Sequence, residues 1–181
     1  MKKIAEFDFH PIIWTLASEI GKIRTDRNAQ TRKNNPKYDH GNRNYSIDQN
    51  GMIGELLCIW YCMENTDKFA CNVAPLLAWN PVSEPDIIVH SLSETKSWRI
   101  DAKWFNEKPT VAMKDDKKLI DHYWFATVTN YERNKAAIWS MPNKEVTKWT
   151  KRTDRSGKQY YEGPVLVQKS KKTQPNKPRK L

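Results

Sequence analysis

The sequence predicts a single α/β domain built on a central mixed β-sheet flanked by helices. Apolar residues recur at helical spacing in the first third of the chain, whereas short β-prone runs prevail after Asn65, with helical segments between them. Strands and helices that share one small domain favour a mixed sheet. A chain of 181 residues suits one such domain, because each half of a divided chain would bury too little surface.

Two helices are predicted before Asn65. The first covers about residues 10–23, where isoleucines and Leu16 follow a helical period. The second begins after Ser46 or Asp48 and continues through a Gly-Met-Ile-Gly-Glu run to about Met63. Its two glycines cost helix stability, so we expect a neighbouring strand or a substrate to approach the backbone there. Residues 22–45 lose periodicity and are rich in Arg, Lys, Asn and Gln, which predicts a basic surface loop. Its stretch from Arg24 to Arg43 and the tail from Lys169 are candidates for contacts with a phosphate backbone, with solvated disorder as the alternative.

The remaining chain predicts strands at residues 69–73, 86–90, 97–104, 122–129, 136–140 and 160–168. Helical segments are predicted at residues 114–120 and 143–150. Residues 169–181 are Lys, Pro and polar throughout, which is typical of a disordered basic tail. We therefore divide the chain into one domain over residues 1–168 and a tail over residues 169–181.

The charge of the chain points to a polyanionic partner. There are 31 Lys and Arg against 21 Asp and Glu, a net charge of +10. Cationic surfaces attract phosphate backbones through counterion release, so DNA is the expected partner and RNA the alternative. A basic coat that serves solubility alone is the other interpretation of this charge.

Several classes of protein are disfavoured by what the sequence lacks. No stretch has the apolar core of a signal peptide or the length to cross a bilayer, so we expect a soluble, intracellular, cytoplasmic protein with no membrane partner. Cys58, Cys62 and Cys71 are odd in number and form no Cys-x-x-Cys pair. Reduced core thiols are the favoured interpretation.

The stretch from Glu84 to Trp104 predicts a hairpin that gathers charged groups. With its turn near Glu94, antiparallel pairing puts Asp86 opposite Ala102 and so beside Asp101 and Lys103. Side-chain alternation puts Arg99, Asp101 and Lys103 on one face of the second strand, and Trp98, Ile100, Ala102 and Trp104 on the other.

Two carboxylates at close range repel each other unless a cation lies between them. Hard oxygen ligands suit Mg²⁺, so the hairpin predicts a magnesium site at Asp86 and Asp101. A bound metal would polarise a phosphoryl oxygen and activate water, while Lys103 orients that water or stabilises transition-state charge. Glu55, at the end of the glycine-containing run, is predicted to complete the site by binding the metal directly, through water, or at a second metal position.

The set Pro85-Asp86, then Asp101-Ala-Lys103, with Glu55 on the preceding helix, resembles the PD-(D/E)xK nuclease superfamily, which has the restriction-endonuclease-like fold. The resemblance covers about residues 48–141. It implies a core of helix, three-stranded antiparallel meander, helix and further strand. It also implies that the aspartates bind Mg²⁺, with Mn²⁺ as a substitute, and that the lysine positions water. No Gln-x-x-x-Tyr follows Lys103, which favours an endonuclease over a processive exonuclease.

Each residue also has a structural interpretation. Asp86 suits a turn cap, Asp101 a surface strand, Glu55 the first turn of a helix, and Arg99 a cross-strand ion pair. A catalytically silent nucleic-acid-binding module and a small basic protein-interaction module are the alternative functions. Cutting both strands of a duplex requires two sites, which makes a homodimer the expected assembly for an endonuclease.

Overall fold

The computed structural model describes residues 1–34, 45–76, 84–105, 110–114, 119–146, 148–153, 157 and 159–164. Its elements in chain order are β1 (Lys2–Asp8), α1 (Ile12–Asn34), α2 (Tyr45–Met63), β2 (Phe69–Val73), β3 (Ile87–Ser91), β4 (Ser97–Trp104), β5 (Thr110–Lys114), β6 (His122–Asn130), β7 (Lys135–Pro142), α3 (Asn143–Val146), β8 (Thr150–Thr153) and β9 (Gln159–Pro164). The predicted mixed α/β class is confirmed. Among the described residues, no helix is long and apolar enough to cross a membrane.

The main sheet has six strands in the order β1-β7-β6-β4-β3-β2. Strands β2, β3 and β4 form the antiparallel meander that was expected after the second helix. Strand β6 then runs parallel to β4, with Asp101 beside Tyr123 and Lys103 beside Phe125, which makes the sheet mixed. The meander is therefore present, but in the described residues no helix lies between β4 and β6, where the resemblance implies one.

The helix predicted over residues 114–120 is wrong in the part that the structure describes. Lys114 ends strand β5, and Leu119 and Ile120 are not helical; residues 115–118 lie outside the described part. Strand β5 pairs with β9, and β9 with β8, in a second sheet of three strands that was not predicted. All four residues of β8 are exposed, so this strand lacks the apolar alternation that identifies a half-buried strand.

Helix α1 continues well beyond its predicted end. It runs to Asn34, so the loop predicted over residues 22–45 is wrong for its first half; residues 35–44 lie outside the described part. The extension contains Arg, Lys, Gln and Ala, which have good intrinsic helix propensity even where no apolar stripe marks the helix. The helix predicted over residues 143–150 is likewise shorter, because α3 ends at Val146. Strand β1, which pairs with β7, was not predicted.

The sheet is covered on both faces. On one face, α1 and α2 supply Ile13, Met52 and Leu57 to a cluster that includes Ile100 and Ala102 of β4. The opposite face carries a smaller cluster that includes Phe105, Met113, Tyr123, Phe125 and Met141. Burial on both faces accounts for the continuous apolar run of β6.

The three cysteines are free thiols, as predicted. Cys58 and Cys62 are buried, whereas Cys71 is half-buried. Burial raises the pKa of the Cys58 thiol well above its ordinary value and raises that of Cys62 to about 12. Both groups are therefore protonated core thiols at neutral pH.

Candidate active site

The hairpin of β3 and β4 places Asp86 at the start of the candidate site. The two strands pair with Ile87 opposite Ile100 and Val89 opposite Trp98. Immediately before β3, the amide of Asp86 donates to the carbonyl of Ile100 at 2.9 Å. The Oδ2 atom of Asp86 accepts a hydrogen bond from the amide of Ala102 at 2.8 Å. The strand register therefore puts Asp86 opposite Asp101, one residue from the predicted Ala102, while the Asp86 side chain is hydrogen-bonded to the Ala102 amide.

Asp101 and Lys103 lie one residue to either side of Ala102 and form an ion pair. The Asp101 side chain is fully buried, whereas that of Lys103 is 33% exposed. The Lys103 ammonium contacts Oδ2 of Asp101 and donates to the carbonyl of Ala102 at 3.3 Å. Because Asp101 is 0% exposed, its interpretation as a surface-strand aspartate is wrong.

Lys103 is coupled to all three predicted carboxylates. Burial opposes its charge, but Asp101, then Asp86, then Glu55 stabilise the ammonium and hold its pKa above the ordinary lysine value. The lysine is therefore a fixed cation at neutral pH. Asp86 and Glu55 are thus near enough to Lys103 to stabilise its charge, and Asp101 contacts it directly; these four residues form one electrostatic unit.

A close contact between α2 and β4 brings Glu55 to this unit. A Cβ atom built on Gly54 would lie 2.6 Å from the nitrogen of Trp104 and 2.9 Å from the carbonyl carbon of Lys103. Only glycine allows the helix to approach the strand so closely. The close neighbour predicted for the glycines is thus a strand at Gly54, whereas a Cβ at Gly51 would meet nothing within 4 Å.

A fifth charged residue, Arg24 of α1, was missed as a site residue. Its Nη1 and Nη2 atoms donate to Oε1 and Oε2 of Glu55 at 2.7 and 2.9 Å. Its Nε donates to the carbonyl of Leu76 at 2.9 Å. Burial opposes the charge of Arg24, but Glu55 and then Asp86 raise its pKa. The signal was an arginine on the face of α1 that carries the buried Ile13 and Ala17.

The carboxylates of the candidate site are suitable ligands for a divalent cation, but they are not arranged as a group of metal ligands. Carboxylate oxygens such as those of Asp86 and Asp101 are the ligands that Mg²⁺ prefers. Within the described ranges, however, no three His, Cys, Asp or Glu side chains are grouped so that they could hold a metal. Both oxygens of Glu55 accept from Arg24, and Oδ2 of Asp101 contacts Lys103.

Arg99 lies outside this unit. Its backbone amide, Nε and Nη2 donate to the carboxylate of Asp121 at 2.8, 3.0 and 2.8 Å. The interpretation of Arg99 as part of an ion pair is confirmed, with a partner that immediately precedes the neighbouring parallel strand β6.

Comparisons of the chain with protein-family models, with curated proteins and with solved structures found no match. The residues of this chain and their geometry are therefore the basis on which a function is proposed.

Proposed function

We propose that the chain is a magnesium-dependent nuclease that hydrolyses phosphodiester bonds, most simply a DNA endonuclease of the PD-(D/E)xK kind. Asp86, Asp101, Lys103 and Glu55 form its catalytic set. The observation that carries the proposal is the fully buried Asp101, paired with Lys103 and separated by one residue from it at Ala102, whose amide donates to Asp86. Titratable groups coupled in this way are candidates for catalysis, because active sites concentrate charges that a fold alone does not require.

The burial of Asp101 strengthens the catalytic interpretation. A fully buried carboxylate that is held by one ammonium adds little stability compared with an apolar pair of similar size. An arrangement that costs desolvation without a clear gain in folding is more readily explained by chemistry than by stability. The partial exposure of Lys103 leaves its ammonium accessible to a substrate.

Asp86 and Asp101 would hold the metal, and the other two groups act around it. Mg²⁺ held there would act as a Lewis acid and lower the pKa of a bound water. Lys103, whose side chain is one third exposed, would orient the attacking water and offset the charge that grows on the phosphate. Glu55 is the candidate third carboxylate.

The partner is a nucleic acid, with DNA preferred and RNA the alternative. The net charge of +10 supports this choice, because each phosphate contact releases counterions. The Lys-rich sequence of residues 169–181 adds to that attraction. A homodimer would supply the two sites that double-strand cutting requires.

A catalytically silent nucleic-acid-binding module is the second candidate function. One observation favours it: within the described residues, the carboxylates are engaged by protein donors, and no group of three metal-ligating side chains is formed. Such a protein would bind nucleic acid through its basic surface and would not cleave it.

One experiment separates the two candidates. Purified protein is incubated with plasmid, linear duplex, branched DNA and RNA in Mg²⁺ or Mn²⁺, and products are resolved on denaturing gels. We expect cleavage that EDTA abolishes and that Asp101→Asn reduces by more than about 100-fold, as expected for loss of metal-activated water. Asp67→Asn, which removes an exposed aspartate, is the matched control and keeps activity. Binding without cleavage of every substrate in either metal establishes the silent module and refutes the nuclease.

A further inference from the structure

Arg24 has a geometry that suits a role beyond holding two helices together. Its guanidinium contacts Glu55 through both terminal nitrogens and the carbonyl of Leu76 through Nε. A guanidinium carries a second N–H on each terminal nitrogen, and these point away from the carboxylate that the fork already grips. Each of these N–H groups can donate one charge-assisted hydrogen bond to a phosphate oxygen.

Exposure shows which member of the pair faces solvent. The Arg24 side chain is 27% exposed, whereas that of Glu55 is 14% exposed. The pair therefore presents its cationic member outward, and the carboxylate supports it from the less accessible side. A cation that is positioned in advance costs less side-chain entropy when it binds an anion.

The place of Arg24 adds a second argument. Arg24 holds Glu55, which follows Gly54, and Gly54 lies against the backbone of Lys103 and Trp104; the charge of Arg24 also interacts with Asp86. Lys103 and Arg24 thus stand as two cations around the same acidic group. A phosphodiester approaching these carboxylates would be repelled by them unless cations of the protein offset that repulsion.

We infer that Arg24 binds a backbone phosphate of the nucleic acid and that Glu55 serves to orient its guanidinium rather than to ligate the metal. The inference rests on the proposed function for its substrate class. It assigns Glu55 a different role from the one that the sequence predicted. It agrees with the engagement of both Glu55 oxygens by Arg24.

The binding test uses the full-length protein with a short DNA duplex in EDTA, where cleavage cannot occur. Affinity is measured over a range of salt concentrations for the wild type, Arg24→Ala and Arg24→Lys. Lys96→Ala is the charge control, because the exposed Lys96 lies at the turn end of the β3–β4 hairpin, away from Asp86 and Lys103. Arg24→Ala should weaken binding and shrink the slope of log affinity against log salt by about 1. Lys96→Ala should leave the slope unchanged.

If Arg24→Ala does not fold, the Arg24→Lys variant tests whether Arg24 contacts a phosphate. Lysine keeps the charge and an ion pair with Glu55 but cannot grip a carboxylate and a phosphate with one planar group. We expect the wild-type salt slope with an affinity reduced by about 3-fold to 10-fold, consistent with the loss of one charge-assisted hydrogen bond. An Arg24→Lys protein that binds with wild-type affinity overturns the inference.

The cleavage test separates the two roles of Glu55. If Glu55 orients Arg24, Glu55→Gln and Arg24→Ala lower the cleavage rate by similar factors and leave the Mg²⁺ concentration for half-maximal rate unchanged. If Glu55 ligates the metal, Glu55→Gln raises that concentration and Arg24→Ala does not, which overturns the inference.

The outcomes also separate this inference from the proposed function. A wild-type protein that never cleaves, but whose salt slope depends on Arg24, refutes the nuclease and keeps the phosphate contact. A wild-type protein that cleaves while Arg24→Ala keeps full affinity and slope refutes the contact alone. A chain that binds no nucleic acid refutes both.

Discussion

Gly54 of α2 lies against the backbone of Trp104 in β4, so closely that a Cβ on the glycine would be 2.6 Å from the Trp104 nitrogen. The contact falls one residue from Glu55 and one from Lys103, which places the close approach of helix and sheet at the candidate active site. The geometry of the site therefore depends on a residue that has no side chain.

Replacement of Gly54 by alanine should destabilise the fold. The added methyl group meets backbone atoms on β4 that cannot move aside, and such overpacking costs about 1–3 kcal/mol. Gly51→Ala is the matched control, since its Cβ would meet nothing within 4 Å and alanine is the better helix former by about 1 kcal/mol. Urea unfolding should show opposite changes in midpoint for the two variants. Equal midpoints would contradict the close contact.

The hairpin was predictable because its chemistry is local. Alternation along Ser97–Trp104 predicts which residues share a face, and the short turn returns Asp86 to within one residue of the predicted register, beside Asp101 and Ala102. The burial of Asp101 could not be predicted, because it depends on β6, which pairs with β4 from a distant part of the chain. An alternating sequence predicts a strand and its two faces, but it does not predict which other strands and helices will bury those faces.

Arg24 was missed as a site residue for a related reason. The charge-rich end of α1 has no apolar period, so it was interpreted as loop, and an arginine in a loop has no fixed partner. Only the pairing of α1 with α2 brings Arg24 to Glu55. Strand β8 was missed because all four of its residues are exposed, so no apolar alternation marks it.

Removal of Lys103 should destabilise the protein through Asp101. Lys103→Met leaves a fully buried carboxylate without its ammonium, and a broken buried pair costs about 3–5 kcal/mol. We expect a loss of about 3 kcal/mol, at the lower end of that range, because one third of the lysine side chain is exposed. The double variant Lys103→Met with Asp101→Asn should recover part of the loss. Chemical denaturation at pH 7 measures the free energy of unfolding of both variants. Lys96→Met, which removes an exposed ion pair with Glu94, is the control and should change that free energy little.

The ion pair between Arg99 and Asp121 should make stability depend on acid pH. The hydrogen bonds from Arg99 lower the pKa of Asp121 in the folded protein, against a smaller opposing effect of burial. Its contribution is therefore fully present above the unfolded value of about 3.9 and is lost as pH falls through the lower folded value. Asp121→Asn should flatten the fall in stability from about pH 5 downward. Asp67→Asn, a change at an exposed aspartate, should keep the wild-type profile.

Mg²⁺ should stabilise the folded chain through the aspartates of the hairpin. A ligand that binds only the folded state at ten times its dissociation constant adds about 1.4 kcal/mol, which raises the Tm of a domain of this size by about 3–5 °C. Asp101→Asn removes one of the two proposed ligands, and Asp86→Asn removes the other, so each variant should lose this shift even where it melts as a folded protein. Asp67→Asn should keep it, because this aspartate is exposed and lies outside the hairpin. A thermal shift that is equal in all four proteins would assign Mg²⁺ to another part of the surface, and no shift in the wild type would remove the metal from the proposed mechanism.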